Sequence, residues 1–418
     1  MRVFHRIFLV LLFLTLGCGD DAEPAAANDA DGGRIGSDER PDAGESTAPG
    51  LGDGEIAGSG ASGGAPVAPM PAAPASDDAA GGAAGSGATR GTFAGDGDGD
   101  GDAPVEGDFA ADSDAGVDDW QPSAGLLTAG AWDDNLNFDR FLGYRTEFHD
   151  SLPGALPIDA EEHESAHDRW SQPREANTTL DVALVIDTTG SMTDEIAYLQ
   201  TEFDALSQAI EDAYPDSAQR WSLIVYRDET DDYVVRWFDF RDSAGEFREK
   251  LEMQGAAGGG DFPEAPDQAL ETMNQLQWRA GEDTARLVFW VADAPHHADN
   301  AGRLADALRA SAGQDIHIYP VASSGVDELT ELSMRSAAQL TGGRYLFLTD
   351  DSGVGGAHKE PTIPCYFVTQ LDDAILRMVD IEMSGDHREP DASEVIRTGG
   401  NPQDGACTLE SGEQLQSF

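Results

Sequence analysis

The chain has 418 residues and a formal net charge of -54, with 79 acidic side chains against 25 basic ones. That excess excludes nucleic acid and anionic membrane surfaces as primary partners, since both require a basic face. The length leaves room for two or three domains, but the composition shifts so sharply that the chain divides into distinct segments.

Residues 1–18 read as an export signal. Arg2, His5 and Arg6 form a basic start, and Ile7–Leu16 is an almost unbroken apolar run, too short to persist as a bilayer-spanning helix. Thr15-Leu16-Gly17-Cys18 resembles the lipobox of bacterial lipoproteins, with Thr15 where Leu is commoner. The resemblance implies cleavage before Cys18 and lipid attachment to its thiol. The expectation is an exported bacterial lipoprotein held in the cell envelope by its anchor, at the outer membrane or cell surface rather than the inner membrane. A plain secretory signal with an incidental cysteine is the alternative.

From residue 19 to 120 the chain is built of Ala, Gly, Pro, Ser and Asp, with 23 acidic and 3 basic residues. So little apolar bulk cannot offset the entropy of ordering, so the segment is expected to be a disordered acidic linker, swollen by its own charge. Asp96, Asp98, Asp100 and Asp102 alternate with glycines as in the opening of an EF-hand loop. The Glu at the twelfth position and the flanking helices are missing, so a soluble spacer is the better reading.

Residues 121–178 bring in the bulk that the linker lacks, and are read as a short cap. Phe138, Phe141, Leu142 and Tyr144 predict a short helix that docks on a larger domain, being too small to fold alone. His163-Glu164-Ser165-Ala166-His167 matches HExxH, in which two imidazoles on one helix face hold zinc and the Glu activates water. This motif carries a rival reading of the protein as a zinc-dependent hydrolase. Its setting between Pro157 and Pro173, in a polar stretch without a third ligand, favours a surface helix instead.

Between residues 179 and 384 strands and helices alternate. Leu180–Ile186, Trp221–Tyr226, Tyr233–Phe238, Arg286–Ala292, Ile316–Val321 and Arg344–Leu348 read as short strands. Ile196, Leu199, Phe203, Leu206 and Ile210 place one apolar stripe on a helix; Leu329, Leu332 and Leu340 mark another, closed by Gly342-Gly343. Thr369-x-x-Asp372 reads as a capping box opening a last helix through Ile375 and Met378. The expected fold is α/β and doubly wound: a mostly parallel sheet, one antiparallel edge strand at Tyr233–Phe238, and helices on both faces.

In such sheets ligands gather at the carboxyl ends of the strands. Three loops end there: Asp187-Thr188-Thr189-Gly190-Ser191, Gly258-Gly259-Gly260-Asp261-Phe262-Pro263-Glu264, and Val291-Ala292-Asp293-Ala294. Asp187, Thr189 and Ser191 set a carboxylate and two hydroxyls at alternate positions, a donor set for a hard divalent cation with part of its coordination sphere left open. With these loops in register on a matching strand–helix pattern, residues 179–384 closely resemble a von Willebrand factor type A domain. The resemblance implies a metal-ion-dependent adhesion site. Asp187, Thr189 and Ser191 take the Asp-x-Ser-x-Ser positions, and Asp293 takes that of the acidic third loop. Asp261 stands where many members present Thr, which implies tighter cation binding but a less electrophilic metal. Magnesium is the default cation, with calcium or manganese as alternatives. The competing reading has Asp187 and Ser191 simply cap the following helix.

His296 and His297 are read as polar rim residues, and Asp228, Asp231 and Asp232 as an acidic rim. There is no Gly-rich loop followed by Lys-Ser/Thr and no G-x-S-x-G elbow, so neither a nucleotide ligand nor acyl transfer is expected. The polar tail, residues 385–418, contains Cys407. With Cys365 it forms the even remainder that suggests one disulfide in an exported protein. The expected function is non-enzymatic: the cation captures a carboxylate of a protein ligand. A scaffold with a purely structural metal is a further alternative.

Overall fold

The computed structural model describes residues 52–58, 127–260, 262–352, 358–359, 361–403 and 405–418. The export signal with Cys18, Asp96, Asp98, Asp100, Asp102, and Asp261 of the second loop lie outside the described residues. No described helix is long and apolar enough to cross a membrane.

The amino-terminal elements are β1 (Gly54–Ala57), β2 (Thr128–Trp132), α1 (Phe138–Phe148) and α2 (Ala160–Trp170). The alternating region follows with β3 (Thr179–Asp187), α3 (Thr193–Ala213), β4 (Ala218–Tyr226), β5 (Tyr233–Arg241), α4 (Ala244–Glu252) and α5 (Pro266–Met273). It continues through β6 (Thr284–Ala292), α6 (Ala301–Gly313), β7 (His317–Ala322), α7 (Glu328–Thr341) and β8 (Tyr345–Thr349). Last come β9 (Tyr366–Gln370), α8 (Leu371–Ser384), β10 (Arg397–Gly399), β11 (Ala406–Thr408) and β12 (Gln414–Gln416).

Among the described residues, ten strands form one sheet in the order β1-β5-β4-β3-β6-β7-β8-β2-β9-β10. The central strands β4, β3, β6, β7 and β8 are parallel. Their near-continuous apolar sequences are explained by burial on both faces. Alternate residues feed two cores. Ala183, Val185, Val288 and Trp290 join Leu270 of α5, Leu304 of α6 and Met334 of α7. Val182, Leu184, Leu287 and Phe289 join Phe203 of α3, Phe247 of α4 and Met378 of α8. The sheet is thus doubly wound, as expected, and the predicted α3 stripe is buried throughout. Gly342 ends α7 at φ 76°, a left-handed cap that costs glycine nothing, and Trp170 packs where a Cβ would stand.

Four sequence expectations need correction. β5 is antiparallel to β4 but is not the edge, because β1 pairs beyond it. β1 lies inside the stretch read as a disordered linker: Asp53 and Glu55 find Arg241 and Arg236 on β5, a long-range complement that composition cannot reveal. The segment read as a separate cap is partly woven into the sheet, with β2 inserted between β8 and β9. The Thr369–Asp372 capping box does not form. Thr369 is a ladder residue opposite Ala129, and the α8 N-cap is Gln370, without a side-chain bond.

Candidate metal centre

Because β3, β4 and β6 are parallel and in register, Asp187, Tyr226 and Val291 end at one rim of the sheet. Asp187, the last residue of β3, is fully buried. The next residue pins the turn: the Thr188 amide and hydroxyl both donate to the Tyr226 carbonyl, at 2.9 Å each. This releases Thr189 toward the rim, where its amide (2.9 Å) and hydroxyl (2.7 Å) both donate to Asp187 Oδ1. The Thr189 and Ser191 hydroxyls stand 3.5 Å apart, and Ser191 hydrogen-bonds Asp293. Neither Asp187 nor Ser191 caps α3, whose N-cap is Met192 with no side-chain bond. The helix-cap reading of the motif therefore fails.

The second loop is stitched to the first by Ala257 N to Thr188 O at 3.0 Å and Gly190 N to Gly258 O at 3.3 Å. Gly258 and Gly259 both have positive φ, 80° and 70°, which lets the backbone curl beneath Thr189. Asp231, half-buried, does more than line the rim: its Oδ2 accepts the Gly259 amide at 2.9 Å and fixes that curl. Glu264 is attached to the third loop through its amide, which donates to Pro295 O at 2.8 Å. The three loops line one open depression, with Thr189, Ser191, Glu264, Asp293 and Ser324 on its walls. Behind them Glu195 of α3 accepts the Ser324 hydroxyl at 2.7 Å.

The electrostatics of this rim are unbalanced. Burial, reinforced by the charge of Asp293, pushes the Asp187 carboxyl up to about 7. Burial together with Asp187, Asp228, Asp231 and Asp293 pushes Glu264 up to about 9. Asp293 is also raised by burial. Asp187 Oδ2, Glu264 Oε2 and Asp293 Oδ1 are buried with no hydrogen-bond partner, and none of the three carboxylates pairs with Lys, Arg or His among the described residues. Buried anionic oxygens are stable only when a positive group or donors compensate them. A small divalent cation fits this deficit. Among the described residues, no three His, Cys, Asp or Glu side chains alone form a metal-holding group. The donor set here is mixed, carboxylates with the Thr189 and Ser191 hydroxyls, which suits a hard cation.

Asp187, Thr189, Ser191 and Asp293 are thus brought together as the sequence suggested. Glu264 also lines the rim, which the sequence reading did not include because it assigned the loop's carboxylate to Asp261. Its signal was the carboxylate directly after Pro263, where the loop leads into α5. Glu195, one turn into α3, gave no such signal. His297 is a rim residue, 2.6 Å from Asp228 Oδ1. His296 is not: it is buried, with Nε2 2.8 Å from the Gly154 carbonyl, and clasps the cap segment to the third loop.

The HExxH residues lie elsewhere, on α2. His163 is buried, 2.5 Å from Gln339 Oε1 of α7 through Nδ1, with Phe141 edge-on to its ring. His167 stacks on Phe138 at 4.3 Å. Glu164 points to solvent. His163 Nε2 and His167 Nδ1 are buried without partners, in a setting of aromatic rings.

The disulfide is present, joining Cys365 before β9 to Cys407 in β11.

A stretch of an ariadne-like RING finger protein of Acanthamoeba polyphaga mimivirus is 28% identical over 190 residues, covering 40% of this chain; the chain spans 18% of that relative's length. The crystal structure of a conserved hypothetical protein, BatB from Bacteroides thetaiotaomicron, is similar at 14% identity and a TM-score of 0.29, covering 40% of this chain and 89% of that one. Residues 182–296, which carry all three loops of the rim, match the family model of the von Willebrand factor type A domain, and the chain carries such a domain.

Proposed function

We propose that this protein is a binding protein of the bacterial cell envelope whose type A domain captures an acidic group of a protein ligand through a divalent cation. The domain supports a role in protein interaction or adhesion in general. The finer reading rests on one observation: three buried carboxylates with orphaned oxygens share a rim with two hydroxyls and, among the described residues, pair with no basic side chain. Asp187, Thr189 and Ser191 would hold the cation, with Asp293 and Glu264 behind them. Bound there, magnesium would supply a Lewis-acidic position for an incoming carboxylate. The depression opens to solvent, which leaves room for that group. The lipid anchor at Cys18 and the acidic segment after it would carry the domain away from the membrane.

The rim is read as a site of binding rather than catalysis, since both of its hydroxyls, Thr189 and Ser191, belong to the proposed donor set for the cation. The packing of His163 against Gln339 and of His167 against Phe138 counts against zinc hydrolysis on α2. The test combines calorimetric titration of magnesium with capture of envelope proteins on immobilised protein, in magnesium and in chelator. Magnesium binding lost in Asp187→Ala, together with capture lost in chelator, is the expected result. Capture that persists unchanged in chelator would overturn the adhesion reading, and zinc that co-purifies and is lost in His163→Ala would favour the hydrolase.

A further inference from the structure

The outer edge of β5 is an interaction surface independent of the metal rim. It presents Arg236, Trp237 and Arg241 along its outer backbone ladder, on which β1 lies in the structure. Gly54 stands opposite Trp237, Glu55 opposite Arg236 and Ile56 opposite Val235. Glu55 accepts from Arg236 Nε at 2.7 Å, Asp53 accepts from Arg241 Nη2 at 2.8 Å, and the Asp239 amide donates to Asp53 Oδ1 at 3.1 Å. The Trp237 indole donates to the Gly52 carbonyl. The edge therefore recognises an acidic extended segment through both charge and ladder.

What holds β1 is specific but weak. No residue of the strand enters either core, and Ile56 is 37% exposed. Its two ion pairs are between one-third and about two-fifths exposed at each partner, a setting in which a pair contributes roughly 0–1 kcal/mol. The chain from 58 to 127 separates β1 from β2, and the cost of closing a loop rises with its length. The same acidic segment on a neighbouring molecule offers identical contacts.

We propose that the β5 edge docks Gly52–Ala57 of a second copy of this chain, so that two molecules exchange their acidic strands reciprocally. Such an exchange keeps every contact of the closed form and adds none that must be satisfied anew, which is why swapping is a low-cost route to a symmetric dimer. It also covers an edge that would otherwise remain a template for indiscriminate pairing.

Charge reversal tests the proposal in the full chain. One variant carries Asp53→Arg and Glu55→Arg; the other carries Arg236→Glu and Arg241→Glu. Each alone mismatches strand and edge, whether within one molecule or between two. Mixed together, both cross-pairings are complementary. The expected result is that each variant sediments as a monomer and the mixture doubles its mass, while a variant with all four changes behaves as the wild type. A mixture that sediments as monomers overturns the proposal. Should either variant fail to fold, two wild-type preparations labelled with donor and acceptor fluorophores decide: energy transfer on co-incubation supports exchange, and its absence at high concentration overturns it.

Discussion

Glu264 carries two effects of opposite sign. Without a cation its carboxyl is pushed up to about 9, first by burial and then by the charges of Asp187, Asp228, Asp231 and Asp293. At neutral pH such a carboxyl is protonated in the fold but ionised in the unfolded chain, a cost that Glu264→Gln removes, so the variant should stabilise the cation-free protein. With magnesium bound, the same change removes an anionic oxygen from behind the metal and should weaken affinity by roughly tenfold to a hundredfold, the usual range for an outer-shell ligand partner. Thermal melts with and without magnesium check this: the variant should melt higher in chelator and gain less from added metal. An unchanged gain would remove Glu264 from the site. The site was legible in the sequence to the extent that its donors are local. Asp187, Thr189 and Ser191 announce themselves within five residues after an apolar strand. Asp231 and Glu195 do not, because their roles depend on the Gly259 amide and the Ser324 hydroxyl, which lie far away in sequence.

At the scale of elements, α2 shows how a motif is reused for packing. Asp159 and Glu162 form a full capping box at its start, and Trp170 at its end donates to the Leu340 carbonyl at 3.0 Å, so the helix is fixed along α7. Between these ends sits His163, held down to about 4 by burial. The unfolded chain takes up this proton near 6.5, whereas the folded chain resists it until about 4. Between those values the unfolded state binds more protons, so stability is fully present above the unfolded value and is lost as pH falls through that window. The loss amounts to about 3 kcal/mol. Urea unfolding at pH 7.5 and at pH 4.5 should therefore show a smaller acid loss in His163→Gln than in the wild type, even if the variant is weaker at both. Equal losses would mean that the imidazole titrates freely. The helix itself was legible, as were the long apolar strands; β1 and β2 were not. β1 has four residues, mostly exposed, and β2 is Thr-Ala-Gly-Ala-Trp, without the β-branched run that marks a strand. Gly130 serves there because the Phe347 ring packs where its Cβ would stand, a constraint that exists only once β8 is in place.

On the scale of the whole molecule, the sheet separates a sparse, charge-strained rim from a heavily tied opposite one. Register puts Thr128, Thr349 and Gln370 on the side of the metal rim, which sends Tyr366 and the neighbouring Cys365 to the far side with the amino ends of β3 and β7. There Glu382 of α8 receives Arg174 at 2.9 Å, His317 at 2.9 Å and Arg344 at 3.2 Å. Burial alone would raise its carboxyl, but the attraction of these three groups overrides it and holds the carboxyl well below its ordinary range. The disulfide closes the same side across a sequence separation of 42. Chain entropy for such a loop is worth about 4 kcal/mol. Replacing both cysteines by serine should lower the unfolding free energy by about that amount. Because the bridge and the proposed cation site are at opposite rims of the sheet, magnesium affinity should stay within roughly twofold of wild type, since distant sites without shared partners act independently. Guanidinium unfolding and calorimetric titration of the same preparation give both numbers. A variant that loses stability but keeps its magnesium affinity confirms that the two rims are separable, whereas joint loss would mean that the tail helps to set the geometry of the Asp187 loop.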